Sequence, residues 1–144
     1  MVRKIYTLND FLKEKFNEKI YKVSLDGGFT CPNRDGKLSK GGCIFCSENG
    51  SGDFTSVKLK SIYQQIDEQI ELVSNKYKGD KYIAYFQNFT NTYADVSYLK
   101  KLYEEALSHK NIVGLAIATR PDCLEDDILE LLDTNSICSS ICCC

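Results

Sequence analysis

Hydrophobic residues follow two patterns along this chain, one typical of helices and one typical of strands, and segments of the two kinds alternate. Four segments space them three and four positions apart, which is the pattern of a helix with one buried face. Three shorter segments are alternating or continuous apolar runs, which is typical of strands, a continuous run being typical of a buried parallel strand. The helices are predicted at residues 7–16, 56–77, 95–107 and 122–132, and the strands at residues 20–25, 82–86 and 112–118.

Polar residues indicate where three of these helices begin. Ser56 is a predicted N-cap of the second helix, and Asp95 opens the third. Asp122 and Glu125 have the three-residue spacing of a capping box, in which each side chain satisfies a free amide at the helix start. The fourth helix is therefore predicted to begin at Asp122.

The predicted order is one helix followed by three strand–loop–helix units. Alternation of this kind predicts an α/β fold with a parallel sheet and right-handed crossovers. In such sheets the loops that follow the strands meet at one edge, where ligands bind. Those loops contain a cysteine cluster in residues 27–54, a polar stretch at residues 87–92, and Thr119-Arg120-Pro121-Asp122. We therefore expect a site at this edge.

Composition narrows the class of protein. The chain has 144 residues, a net charge of -2, 43% hydrophobic and 26% charged residues, which is the usual balance of a globular protein. No apolar run approaches the roughly 18 residues of a membrane span, and no secretory pattern precedes the first helix, so a cytoplasmic location is expected. Residues 1–133 are predicted to form one domain, and residues 134–144 a disordered cysteine-rich tail.

Eight cysteines are distributed unevenly. Three of them, Cys31, Cys43 and Cys46, form the motif Cys-x11-Cys-x2-Cys, which favours a metal site over a disulfide framework. Three thiolates suit a [4Fe-4S] cluster with one open iron, whereas four thiolates close a structural zinc site. Cys123 falls at the same predicted edge and is the candidate fourth ligand, so the spacing alone leaves both metals open.

The residues around these cysteines resemble a bacterial radical S-adenosylmethionine family related to the Elongator catalytic subunit. The similarity is strongest in residues 24–36, 41–46, 85–93 and 118–124 and extends from about residue 5 to residue 133. The resemblance implies the N-terminal part of a parallel (β/α) partial TIM-type barrel, with about three β-α units. Because a complete eight-unit barrel takes about 250 residues, the chain is expected to be truncated.

The resemblance also implies the site chemistry. It assigns Cys31, Cys43 and Cys46 to a [4Fe-4S] cluster and Phe45 to the adenine of S-adenosylmethionine. Further cofactor contacts are implied for the polar stretch after the second strand, at Gln87, Asn88, Thr90, Asn91 and Thr92. The activity implied is reductive cleavage of S-adenosylmethionine to a 5′-deoxyadenosyl radical, and no residue is assigned as catalytic.

Partners follow from the same resemblance. It implies an electron donor such as a flavodoxin or ferredoxin and an unidentified substrate for which tRNA is the candidate, while the lack of a long apolar run predicts no membrane partner. Two alternatives stay open, a non-enzymatic zinc-binding module and an inactive truncated fragment.

Two further polar residues have local interpretations. Arg120 either binds a carboxylate or phosphate of a substrate or pairs with Asp122 or Asp126. His109 is the only histidine and lies near a predicted helix end, where it is expected to interact with the helix dipole.

Overall fold

The computed structural model describes residues 5–28, 60–87, 90–134 and 140–143. Helices and strands alternate along these residues, as the apolar periods predict. The elements are α1 (Leu8–Phe16), β1 (Tyr21–Leu25), α2 (Ile62–Ser74), β2 (Tyr82–Phe86), α3 (Val96–Ser108), β3 (Ile112–Thr119), α4 (Asp126–Thr134) and β4 (Ser140–Cys143).

The strands form one parallel sheet in the order β1-β2-β3-β4. In its register Ser24 is the partner of Tyr85, and Tyr85 is the partner of Ala116. Since α2 and α3 each connect neighbouring parallel strands, the sheet consists of consecutive β/α units. The predicted α/β class, with helices interleaved in a parallel sheet, is confirmed.

Side chains on the two faces of the sheet have different partners, because successive residues of a strand point to opposite faces. One face packs against α2, α3 and α4 and contributes Val23, Leu25, Ala84, Phe86, Leu115 and Ile117 to the main core. The opposite face contributes Ile83 and Ala116, which pack with Leu12 of α1 and with Ile20. Both layers follow from the apolar spacing in the sequence.

The start of α2 differs from the prediction. The helix begins at Ile62, and its N-cap is Ser61 instead of Ser56. Ser61 has an extended backbone, and its Oγ accepts the Gln64 N–H at 3.2 Å while the Gln64 side chain accepts the Ser61 N–H at 3.3 Å. This reciprocal capping box satisfies two amides that the helix itself leaves free.

The start of α4 differs as well. Residues Pro121–Cys123 form a 3-10 turn, and α4 begins at Asp126, not at Asp122. The Asp122 carboxylate accepts two hydrogen bonds from Arg120, at 3.0 and 2.7 Å. The carboxylate is therefore engaged in an ion pair and does not act as the predicted helix cap.

A fourth strand lies within the stretch that we expected to be a disordered tail. Residues Ser140–Cys143 pair in parallel with Ala116–Thr119 of β3. An outer strand offers a row of free backbone N–H and C=O groups, and β4 satisfies those of β3. Residues 134–144 show neither strand alternation nor a helical stripe, so their side-chain pattern gave no signal for this strand.

Across the parts of the chain that the structure describes, no helix has the length and apolar character that crossing a membrane requires.

Candidate functional site

The proposed cluster ligands lie outside the described residues. Cys31, Cys43, Cys46 and Phe45 all belong to residues 29–59, so their assignment stays a prediction. The structure does describe the two ends of this segment. It leaves the sheet after β1 and returns to the fold at Lys60, directly before α2.

The entrance to the cysteine segment is a tight turn. Asp26 is buried, and its Oδ1 accepts the N–H of Gly28 at 2.8 Å. Gly28 has a φ of 74°, a left-handed conformation that residues with a Cβ atom rarely adopt. Asp26 and Gly28 together therefore fix the direction in which the chain leaves β1, three residues before Cys31.

The loop after β2 is held against the end of β3 by Asn91. This residue is fully buried, and both its backbone N–H and its Nδ2 donate to the carbonyl oxygen of Ala118, at 3.0 and 2.9 Å. The Tyr103 hydroxyl of α3 donates to the Asn91 carbonyl at 2.5 Å. One loop residue thus connects β2, β3 and α3.

Thr92 extends this connection to the loop after β3. Its buried hydroxyl donates to the carbonyl oxygen of Cys123 at 2.6 Å, and it also hydrogen-bonds the hydroxyl of Thr119. Because a hydroxyl has one proton to give, Thr92 accepts the hydrogen bond from Thr119 when it donates to Cys123. The loops that follow β2 and β3 are therefore bonded to each other.

The predicted cofactor contacts thus have different environments. Thr90, Asn91 and Thr92 are 0–1% exposed, whereas Gln87 is partly accessible at the end of β2. The hydrogen bonds described above engage Asn91 and Thr92 with other parts of the protein, so these two side chains shape the edge. Asn88 lies outside the described residues, and contact of this group with S-adenosylmethionine stays a prediction.

Arg120 pairs with Asp122, which was one of the sequence interpretations. Its Nε and Nη2 donate to the two carboxylate oxygens in a bidentate arrangement. These hydrogen bonds are the main cause that lowers the pKa of Asp122 below its usual value, and partial desolvation opposes them. A substrate carboxylate or phosphate would have to compete with Asp122 for the guanidinium group.

Cys123 is a buried cysteine on the turn between β3 and α4. Its Sγ lies 3.8 Å from Oδ1 of Asp122. Within residues 5–28, 60–87 and 90–134, no three side chains of His, Cys, Asp or Glu come together as metal ligands. The three other cysteines of the predicted zinc site lie in residues 29–59, outside the described residues, so the role of Cys123 as fourth ligand stays a prediction.

His109 connects α2 and α3. It is 3% exposed at the C-terminal end of α3, with Nε2 3.0 Å from Oδ1 of Asp67 on α2. The Asn111 N–H donates to Nδ1 at 3.2 Å, so the ring proton is on Nε2 and is donated to Asp67. The predicted position at a helix end is confirmed, and the ring also packs 4.6 Å from that of Tyr63.

Gln65 is a component of the edge that sequence reasoning missed. It is 1% exposed on α2, on the same buried stripe as Ile62 and Ile66. A polar residue at an apolar position of an amphipathic helix is a usable signal, because a buried amide requires hydrogen-bond partners. Its partners, Asp26 and Lys60, are at the two ends of the cysteine segment.

A Tyr103→Phe variant tests the connection between α3 and the loop after β2. Loss of the hydroxyl leaves the buried Asn91 carbonyl without this donor, and we expect a loss of about 1–2 kcal/mol in the free energy of unfolding. Burial raises the pKa of Tyr103 above its ordinary value of 10.0. Above pH 10 the unfolded state therefore releases a proton that the folded state retains, and stability falls as the pH rises.

Urea unfolding at pH 7 and pH 10.5 measures both effects for Tyr103. The variant should start less stable at pH 7 and lose less stability than the wild type between the two pH values. Burial also raises the pKa of Tyr82, so Tyr82→Phe should likewise lose less stability than the wild type between the two pH values. Equal stability of the wild type and Tyr103→Phe at pH 7 would contradict the role given to this hydrogen bond.

Comparison with known proteins finds longer relatives. No family model matches the chain. It is 48% identical over 130 residues to the uncharacterised protein YtqA of Bacillus subtilis, and 43% identical over 121 residues to the protein YhcC of Escherichia coli. It is also 42% identical over 126 residues to the uncharacterised protein MJ0486 of Methanocaldococcus jannaschii.

The matched region is most of this chain and a smaller part of each relative. It covers 90%, 84% and 85% of the chain, but only 40%, 38% and 37% of the three relatives in the same order. The chain is therefore similar to less than half of each of these bacterial and archaeal proteins.

Proposed function

We propose that this chain is part of a cytoplasmic radical S-adenosylmethionine protein that binds a [4Fe-4S] cluster through Cys31, Cys43 and Cys46. The observation that carries the proposal is the cysteine motif, three thiolates within residues 31–46 in the segment that follows the first strand of a parallel sheet. Resemblance of the flanking residues to the radical S-adenosylmethionine family supports the same assignment.

The donor set fits this group. Three thiolates leave one iron of a [4Fe-4S] cluster open to the amine and carboxylate of S-adenosylmethionine. When bound and reduced, the cluster would supply one electron that breaks a C–S bond of S-adenosylmethionine, giving methionine and a 5′-deoxyadenosyl radical.

In this proposal the chain's own residues bind the metal and orient the loops around it. Cys31, Cys43 and Cys46 hold the metal, while the turn at Asp26 directs the segment that carries them. The hydrogen bonds of Asn91 and Thr92 keep the polar stretch after β2 against the end of β3. In this proposal the remaining groups of that stretch face the cofactor, and Phe45 packs against its adenine.

A zinc-binding module is the second candidate. Cys123 favours it, because this buried thiol lies in the turn after β3, at the edge of the sheet where the cysteine segment starts. A fourth thiolate would close the coordination shell and leave no position for S-adenosylmethionine.

Partners are further proposals that follow from the resemblance alone: a flavodoxin or ferredoxin as electron donor and tRNA as substrate.

Anaerobic reconstitution with iron and sulfide tests the two candidates. The reduced protein should give the electron paramagnetic resonance signal of a [4Fe-4S] cluster, and addition of S-adenosylmethionine should change its g values because the cofactor binds the open iron. Protein purified with stoichiometric zinc that takes up no cluster would contradict the proposal and favour the zinc module. A cluster signal indifferent to S-adenosylmethionine would contradict the open iron site.

A further inference from the structure

One face of the sheet stays partly accessible next to α1. Val23 points into the main core, so Lys22 and Ser24 on either side of it point to the opposite face. Tyr85, the register partner of Ser24 on β2, lies on that opposite face as well and packs against the cluster around Leu12 of α1. Lys22 is exposed, and Ser24 and Tyr85 are partly accessible. These three side chains, Lys22, Ser24 and Tyr85, form what we call the accessible face.

Lys22 and Tyr85 are in contact across two neighbouring strands. The Lys22 ammonium lies over the Tyr85 ring, 4.5 Å from its centroid, in a cation–π arrangement. None of the ion pairs among residues 5–28, 60–87 and 90–134 includes Lys22. Lys81 shows the contrast, since its ammonium is 2.6 Å from a carboxylate oxygen of Glu18. The Tyr85 ring thus holds the Lys22 ammonium in place without supplying a counter-charge.

The position of Lys22 in a parallel sheet restricts what can bind over it. Parallel sheets are normally covered on both faces. On the same face the register partner of Lys22 is the apolar Ile83, and that of Tyr85 is the small Ala116. A group that covers this face removes water from the ammonium, which costs free energy unless the group brings negative charge. Charge complementarity therefore requires an anion as the occupant of the accessible face.

We propose that Lys22 and Tyr85 bind a phosphate group of the substrate on the accessible face. A lysine ammonium is a point charge on a flexible stem and suits the tetrahedrally arranged oxygens of phosphate, whereas a planar carboxylate matches the fork of arginine. S-adenosylmethionine carries no phosphate, so the ligand is distinct from the proposed cofactor. Its identity as a substrate rests on the proposed function, whereas the binding of phosphate does not.

The accessible face lies close to the edge where the cofactor is proposed to bind. Gln87, a predicted cofactor contact, follows Tyr85 by two positions, which is about 7 Å along an extended strand. Side chains two positions apart point to the same side of a strand. A substrate held by its phosphate at Lys22 would therefore extend along β2 toward the proposed cofactor.

Nuclear magnetic resonance of the lysine side chains tests this proposal in the metal-free chain. Reductive methylation with isotope-labelled formaldehyde labels each lysine and keeps its positive charge. Lys19 is the matched control, because its ammonium also lies over a ring, 4.6 Å from the centroid of Tyr21, but Tyr21 packs against the main core. The two signals are assigned from their absence in Lys22→Gln and Lys19→Gln protein. Lys22→Arg gives the same assignment if Lys22→Gln does not fold.

Inorganic phosphate should shift the Lys22 signal along a saturable curve at constant ionic strength. We expect its dissociation constant at Lys22 to be about tenfold lower than that of malonate, a dicarboxylate of similar charge. The Lys19 signal should not saturate with either anion. In Tyr85→Leu protein the Lys22 dissociation constant for phosphate should rise about threefold, because the ring no longer fixes the ammonium.

The other outcomes separate this inference from the proposed function. Equal, non-saturating shifts of Lys22 and Lys19 would reflect general screening of charge and would overturn the proposal, as would tighter binding of malonate. Reconstituted Lys22→Gln protein should still change its electron paramagnetic resonance signal on addition of S-adenosylmethionine, and loss of that change would assign Lys22 to the cofactor instead. If the wild-type protein forms no cluster, the proposed function fails, while the phosphate titration still decides the role of Lys22.

Discussion

A Cys43→Ala variant is expected to bind no [4Fe-4S] cluster, whereas a Cys123→Ser variant is expected to bind it as the wild type does. Removal of one of three thiolates leaves a cluster with two protein ligands, and iron should fall from about four atoms per chain to near zero. Cys123 is not among the three proposed ligands, so its loss should leave the metal in place. Iron and sulfide assays after anaerobic reconstitution measure both variants.

The same pair distinguishes the cluster from zinc. A zinc site closed by four thiolates would lose metal in both variants, because Cys123 would be the fourth ligand. Serine at position 123 retains the size of the side chain, and the backbone carbonyl that accepts from Thr92 is unaffected. Loss of metal from folded Cys123→Ser protein, with zinc measured by mass spectrometry, would contradict the three-cysteine site.

Strand positions could be predicted from the sequence because burial in this sheet leaves a local signature. The apolar run at residues 82–86 coincides with β2, and the predicted strands at residues 20–25 and 112–118 differ from β1 and β3 by one residue each. A strand covered on both faces must be apolar at nearly every position, so its ends are marked by the return of polar residues.

Helix starts were harder to predict because several polar residues compete for the same role. Ser56 and Ser61 both precede the apolar stripe of α2, and the choice depends on whether a second partner is present three residues later. Gln64 supplies that partner to Ser61. Asp122 had the right spacing from Glu125, but its carboxylate forms a bidentate pair with Arg120, two residues earlier, and the capping pattern does not include that local competitor.

The sequence predicted that the polar loops meet at one edge of the sheet. It did not predict the hydrogen bonds that connect these loops to each other and to the helices. Polar stretches after three strands had to converge once the strands were parallel. The contacts of Gln65 with Asp26 join residues 39 positions apart, and those of Asn91 with Ala118 join residues 27 positions apart. No local pattern specifies partners at that distance, although Gln65 is marked as buried by its position on the apolar stripe of α2.

A Phe86→Ala variant is expected to lose about 3–5 kcal/mol of unfolding free energy. Phe86 is fully buried at the last position of β2, and its ring lies 5.5 Å from that of Tyr103 in an edge-to-face arrangement. Truncation leaves a cavity between the sheet and α3 and removes an aromatic pair. Because domains of this size are stable by only about 5–15 kcal/mol, the variant should be close to unfolding at room temperature.

The effect should extend to the site, because Phe86 immediately precedes Gln87 and packs on the residue that bonds Asn91. Urea unfolding of the metal-free protein measures the loss, and Leu72→Ala is the control. Leu72 is 69% exposed on α2, so its truncation should change stability by less than about 0.5 kcal/mol. If Phe86→Ala unfolded at the same urea concentration as Leu72→Ala, the ring would not be in the core, and the end of β2 would need another anchor for the polar loop that follows it.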